Sequence, residues 1–476
     1  MKLKEILEEI GVSFDEDIDV KGITCDSREV KKGYLFIAIK GSKYDGNDYI
    51  NEVLERKACY VISDSIAKEK VIKVEKIKEL KAKLFYSFYK YPQKKLQIIG
   101  ITGTNGKTST AHIIYEIMNK LNKKCMYIGT LGIYDNEYYK DTNNTTPDSD
   151  ILAEELYKAV KRKTKYVVME VSSHALSHER TKFIKFKGAI FTNLTHEHLD
   201  YHITMSNYCL AKQKLFNSLD EESFAIINYD DKYHFEMEKF CKAKVIHYGL
   251  EHNDNQIKNI LRGLDGVSFD LGGYENIKTK LLGMINVYNV SAAFLAIKEL
   301  GINEKEIKEA IENVNTVNGR LEKVYSGNFN VILDYAHTPD AMEKVLLEIK
   351  PLVANRLIVM FGCGGNRDNT KRKVMGEIAT TYADVTYITS DNPRNENPML
   401  IIKDILQGCK NEKKIVIEEN RELALRKALA EIQSGDILMV LGKGHEEVII
   451  YKNERIPFND KKYAEEVLTK LEKVEI

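Results

Sequence analysis

No run of apolar residues in this sequence approaches the roughly 20 that a membrane-crossing helix needs. Net charge is also missing, since 71 lysines and arginines meet 71 aspartates and glutamates. The global balance therefore favours neither nucleic acid nor an anionic membrane, although a local basic site for a small anion is compatible with it. Cysteine pairs are absent as well. The seven cysteines, at positions 25, 59, 125, 209, 241, 363 and 409, are odd in number, scattered and never spaced as Cys-x-x-Cys. That argues against a disulfide framework or a zinc ribbon and for reduced thiols in a cytosol. There is no low-complexity tract and no short repeat. Residues 1–10 read as an amphipathic helix rather than a signal peptide. The expectation is a soluble cytoplasmic protein, monomeric, without nucleic-acid partner or membrane insertion.

What is present fits a globular protein: 43% hydrophobic and 30% charged residues over 476 positions, enough for two or three domains. Residues 1–95 hold short apolar runs, such as 34–39 and 58–62, and end at Tyr91-Pro92, where proline turns the preceding residue away from helix. From Leu96 a strand-like run, a glycine-rich turn and an amphipathic stretch over 108–121 follow one another. Further strand-like runs lie at 125–128, 166–169, 189–191 and 224–227. After Gly319-Arg320 the alternation restarts, with strands near 331, 357–361, 385–389, 415–417 and 437–441. Helical patterns cover 341–349, 371–382, 399–409 and 421–432. Strand alternating with helix predicts α/β domains with mostly parallel sheets.

The turn after Leu96 reads Gly100-Ile101-Thr102-Gly103-Thr104-Asn105-Gly106-Lys107-Thr108-Ser109. Glycines let backbone N–H groups face a phosphate, and the following helix N-terminus adds positive potential. Lys107 can bridge terminal phosphates and Thr108 can hold magnesium through its hydroxyl. The spacing departs slightly from the common phosphate-loop pattern, because Ile101 stands five before Gly106. The strand before and the helix after nonetheless point to ATP or GTP.

Glu170 ends the 166–169 run, where a ligand of an open α/β sheet binds and where magnesium would want a carboxylate. On position alone a solvated strand-end carboxylate is equally compatible. The segment 192–202, Thr-Asn-Leu-Thr-His-Glu-His-Leu-Asp-Tyr-His, carries His196, His198 and His202. A zinc site is one reading, but it is not His-Glu-x-x-His, and one histidine assisting a nucleotide-bound metal is more economical. Lys212 falls with Tyr208, Ala211 and Leu215 on the helix face that is normally buried. An ammonium there is expensive unless it snorkels to water.

Taken in order, TGTNGKT, MEVSSH, TNLTHEHLDYH, DYAHTPD, GCGGNRD, DNPR and GKGHE resemble the Mur ligases over nearly the whole chain. The resemblance implies three domains: a small α/β domain over 1–95 for the UDP end of the substrate, a central ATPase over 96–319, and a Rossmann-like C-terminal domain over 320–476. It implies an ATP-dependent amide ligase of cell-wall precursor synthesis, working through an acyl phosphate. The substrates implied are ATP, UDP-N-acetylmuramoyl-L-alanyl-D-glutamate and meso-2,6-diaminopimelate.

Residue by residue, the resemblance gives the phosphates to Gly103 through Ser109. It gives magnesium to Thr108, Glu170, His198 and Lys212, the last as a carbamate, and makes Lys107, His198 and Lys212 catalytic. Ser27 and Arg28 match a uridine site. Thr145, Thr146, Ser172 and Arg180 match muramoyl-peptide contacts. Asn286 and Asn289 match a motif near adenine, and Arg320, Asp334 and His337 match positions reaching ATP. Asp391-Asn392-Pro393-Arg394, with Arg367, Gly442 and Glu446, matches a diaminopimelate site. An arginine suits that substrate, because a guanidinium can grip the extra carboxylate bidentately. The alternatives are the same ligase taking L-lysine, another Mur-type or folylpolyglutamate ligase, a nucleotide switch, or a zinc hydrolase.

Overall fold

The computed structural model describes all residues except 42–43, 143, 252–253, 411–413 and 473–476. The chain forms two compact units, one of residues 1–257 with 289–310 and one of residues 258–288 with 311–476.

In the first unit the opening helix, Leu3–Glu8, buries Leu3, Ile6 and Leu7. A four-stranded parallel sheet follows, made of Gly22–Thr24, Tyr34–Ala38, Tyr60–Ser63 and Val71–Lys73 in chain order. The helix Ile77–Phe88 ends the region, and Tyr91 takes a left-handed conformation (φ 49°) just before Pro92. One apolar core runs from Leu3 and Leu35 through Phe85 to Ile98 and Met126, so this region and the next share buried surface.

The second sheet of this unit has eight strands. Gln97–Thr102 lies near its middle, with Tyr166–Glu170 and Cys125–Gly129 on one side and Phe186–Phe191, Phe224–Asn228 and Lys244–Tyr248 on the other. These six are parallel, and apart from the half-exposed edge strand Lys244–Tyr248 their Val/Ile-rich runs are buried on both faces, as helix-covered strands must be. The edge strands Gly132–Asp135 and Tyr138–Lys140 are antiparallel additions that alternation of strand and helix did not predict. Because neighbours leave Gln97–Thr102 in both directions, it marks a switch point, and Ile101 pairs with Glu170 while Thr102 pairs with Phe191. The carboxyl ends of three strands thus meet beside the glycine-rich turn, where open α/β sheets bind ligands.

The second unit holds a six-stranded sheet in the order Glu322–Ser326, Asn330–Asp334, Ile437–Leu441, Leu357–Phe361, Val385–Ile388, Lys414–Ile417. All neighbours are parallel except the first pair. Its helices start where sequence chemistry directs. Thr338 caps Pro339–Ile349, Asn397 caps Pro398–Leu406 and Asn420 caps Arg421–Ala430, each accepting a backbone N–H that helix geometry leaves unpaired. A three-stranded sheet (Ile257–Gly263, Gly266–Leu271, Tyr274–Thr279) and a hairpin (Val448–Tyr451, Glu454–Pro457) were not foreseen. Ile257–Gly263, Tyr274–Thr279 and Glu454–Pro457 are largely exposed and polar and lack the apolar runs that announce buried strands, whereas Gly266–Leu271 alternates and Val448–Tyr451 is a short apolar run.

Candidate active site

The glycine-rich turn is held from outside by the segment after Phe191. Thr104 N–H donates to the Asn193 carbonyl (2.8 Å), and Asn105 N–H donates to Asn193 Oδ1 (2.9 Å). Thr192 Oγ1 donates to the Asn105 carbonyl at 2.6 Å. A Cβ on Gly103 would fall 1.9 Å from Thr192 Oγ1, so only glycine lets the two segments close this far. Gly106 has φ 85°, and its Cβ would sit 2.7 Å from Asn289 Oδ1, an atom that also accepts from Thr110 (3.1 Å). Asn289 therefore reaches the phosphate loop, while Asn286 donates to the Leu282 carbonyl at the start of their helix (2.8 Å). Ser109 lies in the first turn of the helix Lys107–Lys120.

Glu170 is fully buried at its strand end and gathers donors. Thr108 Oγ1 reaches Oε2 at 2.8 Å, while Tyr127 Oη (2.5 Å) and Thr130 N–H (2.8 Å) reach Oε1. A hydroxyl and a carboxylate side by side at the head of a phosphate-loop helix form a pair of hard oxygen ligands. The neighbouring loop is tied to the same strand end. Thr146 Oγ1 donates to the Glu170 carbonyl (2.9 Å) and accepts from Ser172 N–H (3.0 Å). Arg180 donates to the Thr146 carbonyl at 3.0 Å, and the Thr145 hydroxyl lies 3.2 Å from that of Thr130. Thr145, Thr146, Ser172 and Arg180 are therefore gathered around Glu170. Ser27 and Arg28 sit apart in a short turn, where Arg28 pairs with Asp26 and is 85% exposed.

Positive charge is crowded here. Lys107 Nζ donates to the Gly103 and Thr104 carbonyls (2.8 and 2.7 Å), and Lys212 Nζ donates to the same Gly103 oxygen at 2.7 Å. Lys212 is 1% exposed and does not snorkel. Its ammonium lies 4.6 Å from the Tyr208 ring centre. Burial first, and the Lys107 cation second, hold its amine well below the ordinary lysine range. His198 is left-handed (φ 57°) and packs edge-on to His174, with ring centres 5.1 Å apart. Burial lowers its basicity; Glu197 opposes, and Lys107 and Lys212 lower it further.

In the second unit, Asp391 through Arg394 form a loop braced from three sides. Asn392 Nδ2 donates to Glu446 (2.7 Å), and Asn392 Oδ1 accepts Ile450 N–H (2.9 Å). Arg394 is left-handed (φ 53°); its Nη1 donates to the Gly365 carbonyl (2.8 Å) and its N–H to the Ile450 carbonyl (2.9 Å). The Arg394 Nε and Nη2 atoms have no protein acceptor among the described residues. A Cβ on Gly442, at φ 106°, would lie 2.8 Å from Asp391 Oδ2. Asp391 is 8% exposed, with its carboxyl pushed up by burial, an effect that Arg421 and Lys443 partly reverse. Pro393 is packed against Gly365, whereas Arg367 lies exposed. Asp334 accepts the Leu321 and Ala336 N–H groups, both at 2.7 Å. Arg320 lies 4.8 Å over the Tyr335 ring, whose carbonyl is 2.9 Å from His337 Nδ1.

Three successive stretches match known domains: the Mur ligase family catalytic domain over residues 19–89, the Mur ligase middle domain over 101–297 and the glutamate ligase domain of Mur ligases over 319–444. UDP-N-acetylmuramoyl-L-alanyl-D-glutamate–2,6-diaminopimelate ligase of Aquifex aeolicus is 42% identical over 455 residues, 94% of each chain. The chain belongs to the Mur ligase family. The ligase of the same name from Caldanaerobacter subterraneus is 40% identical and spans 99% of this Mur ligase and 100% of its own length. A solved structure of a ligase with that name superposes with TM-score 0.75 at 29% identity, over 99% of this chain and 100% of that one. The α/β, three-domain architecture expected from the motifs is thus established.

The zinc reading of this Mur ligase's histidine segment does not hold. Among the described residues His196, His198 and His202 do not converge as a ligand set, and the His202 ring turns to the Ser173 hydroxyl at 2.9 Å. Several supporting residues were not anticipated. Tyr127 and Thr130 on Glu170 come from strand and turn positions with no motif of their own. Lys443, fully buried, donates to Glu446 (2.9 Å) and the Val448 carbonyl (2.7 Å). Arg421 bonds Asp460 through Nε and Nη2 (2.8 and 2.7 Å) and also holds the Ser390 and Leu441 carbonyls. A cue for Lys443 was available inside GKGHE. For Arg421 there was none, since the first turn of a helix is where arginines are ordinarily solvated.

Proposed function

We propose that this Mur ligase uses ATP to join an amino group of meso-diaminopimelate to the D-glutamate side-chain carboxylate of UDP-N-acetylmuramoyl-L-alanyl-D-glutamate. The observation that carries the reading is near-full-length likeness to ligases named for that reaction, joined to an arginine in the DNPR loop whose outer edge lacks a protein acceptor. Lysine lacks the distal carboxylate that this edge would receive.

The residues fit the nucleotide. Loop N–H groups and Lys107 would cradle the phosphates, Asn289 and Asn286 the adenine side, and Arg320, Asp334 and His337 the ATP from the C-terminal part of the chain. Thr108, Glu170, His198 and a carbamylated Lys212 would hold magnesium, which when bound neutralises charge on phosphate oxygens. Carbamylation is supported by an amine that is buried, shares its acceptor with Lys107 and is held well below the ordinary lysine range, which favours its nucleophilic form. It would exchange a mismatched cation for an anion. Ser27 and Arg28 are assigned to the uridine end, and Thr145, Thr146, Ser172 and Arg180 to the muramoyl peptide.

Phosphoryl transfer activates the glutamate carboxylate as an acyl phosphate. The neutral amine nitrogen then attacks the acyl carbon, loses a proton to solvent, and phosphate departs with the electron pair of the broken C–O bond. Arg394 and Arg367 would orient the acceptor's carboxylate, and Asp391, Asn392 and Glu446 its ammonium, around the turn that Pro393 and Gly442 shape. The reading divides the chain near residues 95 and 319. It describes a cytoplasmic protein, in keeping with seven unpaired cysteines, and a monomer, whose mass sedimentation equilibrium would measure. The deciding test is phosphate release with each substrate pair. Release requiring ATP, muramoyl-dipeptide and diaminopimelate together supports the assignment. A preference for lysine, or ATP hydrolysis that ignores the acceptor, would sink it.

A further inference from the structure

Away from the phosphate loop, the short helix His234–Glu238 lies against the edge strand Lys244–Tyr248. His234 and Glu238 are one helical turn apart, and the strand contributes His247. Glu238 Oε1 is 2.9 Å from His234 Nδ1 and 2.9 Å from His247 Nε2. One ligand atom from each residue falls within 4.8 Å of the other two, and among the described residues this is where such a set occurs. From this geometry we infer that His234, Glu238 and His247 form a binding site for a divalent cation of the zinc class.

Two imidazoles and one carboxylate are a donor set for a borderline-soft ion, not for magnesium or calcium, which want oxygen. Zinc bonds of about 2.0–2.1 Å in a tetrahedron require ligand atoms about 3.3 Å apart. The two 2.9 Å separations need to open by a few tenths of an ångström, which small side-chain rotations supply. Exposure is graded as a three-ligand site requires. His234 is buried (8%), while Glu238 and His247 are 23% and 21% exposed, leaving one side for water as fourth ligand.

The scaffold is packed on both sides. The Tyr229 ring packs on His234 and His247, with centres 4.4 and 5.4 Å away. Gln213 Nε2 donates to the Glu236 carbonyl and so joins this helix to the one carrying Lys212. A bound ion would pin that helix to the strand and stabilise the packing behind Lys212 without touching the reaction. The bland alternative is a carboxylate that shares a hydrogen bond with His234 and lies beside the His247 ring, and it differs in predicting no metal.

The test uses the full chain, stripped with chelator and dialysed against Zn²⁺, in wild type and in His247→Gln and Glu238→Gln. Subtraction cancels zinc held by thiols or at the phosphate loop. Wild type should bind one more equivalent than either variant. Its affinity for that equivalent should exceed the variants' by more than tenfold, since even loss of an outer-shell partner costs about 10–100-fold. Zn²⁺, but not Mg²⁺, should raise the thermal midpoint of wild type alone. Nitrogen-15 spectra of wild type supply a measurement that needs no variant, with zinc shifting His234 Nδ1 and His247 Nε2. Equal stoichiometry in all three proteins, or zinc shifts confined to other histidines, would overturn the site.

Discussion

Lys107 and Lys212 both aim at the carbonyl oxygen of Gly103, whereas in the C-terminal unit Lys443 and Arg421 each face a carboxylate. The first arrangement sets two lysine amines on one carbonyl oxygen beside a turn of backbone N–H groups, and Lys212 has no carboxylate hydrogen-bonded to it among the described residues. The second cancels its buried cations and leaves two groups over: the Asp391 carboxylate, with no hydrogen-bond donor among the described residues, and the outer edge of Arg394. Each surplus would suit a substrate of the proposed reaction. Phosphates are anionic, and an amino acid head brings one ammonium and one carboxylate. The contrast teaches that an unliganded site can be read from the charge the protein fails to compensate, because leaving a buried charge unmatched costs stability unless a ligand completes it.

The largest effect is expected at Lys212. If its carbamate serves the metal, Lys212→Ala should lower kcat by about 10³-fold, the scale of losing one electrostatic stabiliser of the transition state. Short carboxylates such as acetate should restore part of it. Thermal stability should hold or rise, because a fully buried amine crowded by Lys107 has gone. A fall in stability with activity intact would show that Lys212 was compensated after all, and the comparison would break on that side.

Next comes Arg394. Loss of a charge-assisted pair in a desolvated pocket is worth about 3–4 kcal/mol at a site that keeps one side open, or roughly 10²–10³-fold. Arg394→Ala should reduce the ratio of specificity constants for diaminopimelate over lysine by that order while leaving KM for ATP near wild type. Arg367 would keep lysine from becoming a good substrate. An unmoved ratio would mean that the free edge of Arg394 is not the selector.

The layout of the candidate phosphate site was legible because phosphate and metal chemistry demands particular residues at fixed spacing. Gly103, Gly106, Lys107, Thr108 and Glu170 are short-range in sequence or strand-end in pattern, and the parallel sheet brings them together. Lys212 announced itself as a charge on an apolar stripe. Asn193, Tyr127 and Arg421 act across 88, 43 and 39 residues of chain, which no local pattern encodes. The strand Lys244–Tyr248 was missed because His247 and its lysine break the apolar run, and with it went the His234, Glu238 and His247 set.

Arg421 and Asp460 offer the third test, on stability. Both side chains are fully buried. Arg421→Ala strands the Asp460 carboxylate and should cost about 3–5 kcal/mol in denaturant unfolding. Arg421→Met with Asp460→Leu should recover most of that, since a well-packed apolar pair avoids the desolvation penalty. The double variant should still bind diaminopimelate weakly, because the guanidinium also holds the Ser390 and Leu441 carbonyls that lead into the DNPR and GKGHE loops. Full recovery of KM in the double variant would make the pair purely structural.

The smallest effect is expected at Asp391, where direction matters more than size. Burial raises its carboxyl above the ordinary 3.8; the Arg421 and Lys443 cations lower it, and Glu446 and Asp460 raise it. A carboxyl raised by folding binds more protons in the native state than in the unfolded one. Its contribution to stability is therefore fully present below the unfolded value and is lost as pH rises through the folded value. At neutral pH wild type carries this burden, and Asp391→Asn does not. The variant should be more stable than wild type at pH 7, by less than the Arg421 effect, and the difference should shrink as pH falls toward 3.8. Its KM for diaminopimelate should rise, because the carboxylate that would meet the substrate ammonium is gone. Urea unfolding of both proteins across that pH range measures the first claim, and steady-state kinetics the second. A variant less stable than wild type at pH 7 would mean that Asp391 is already compensated, and the surplus negative charge of the acceptor side would not exist.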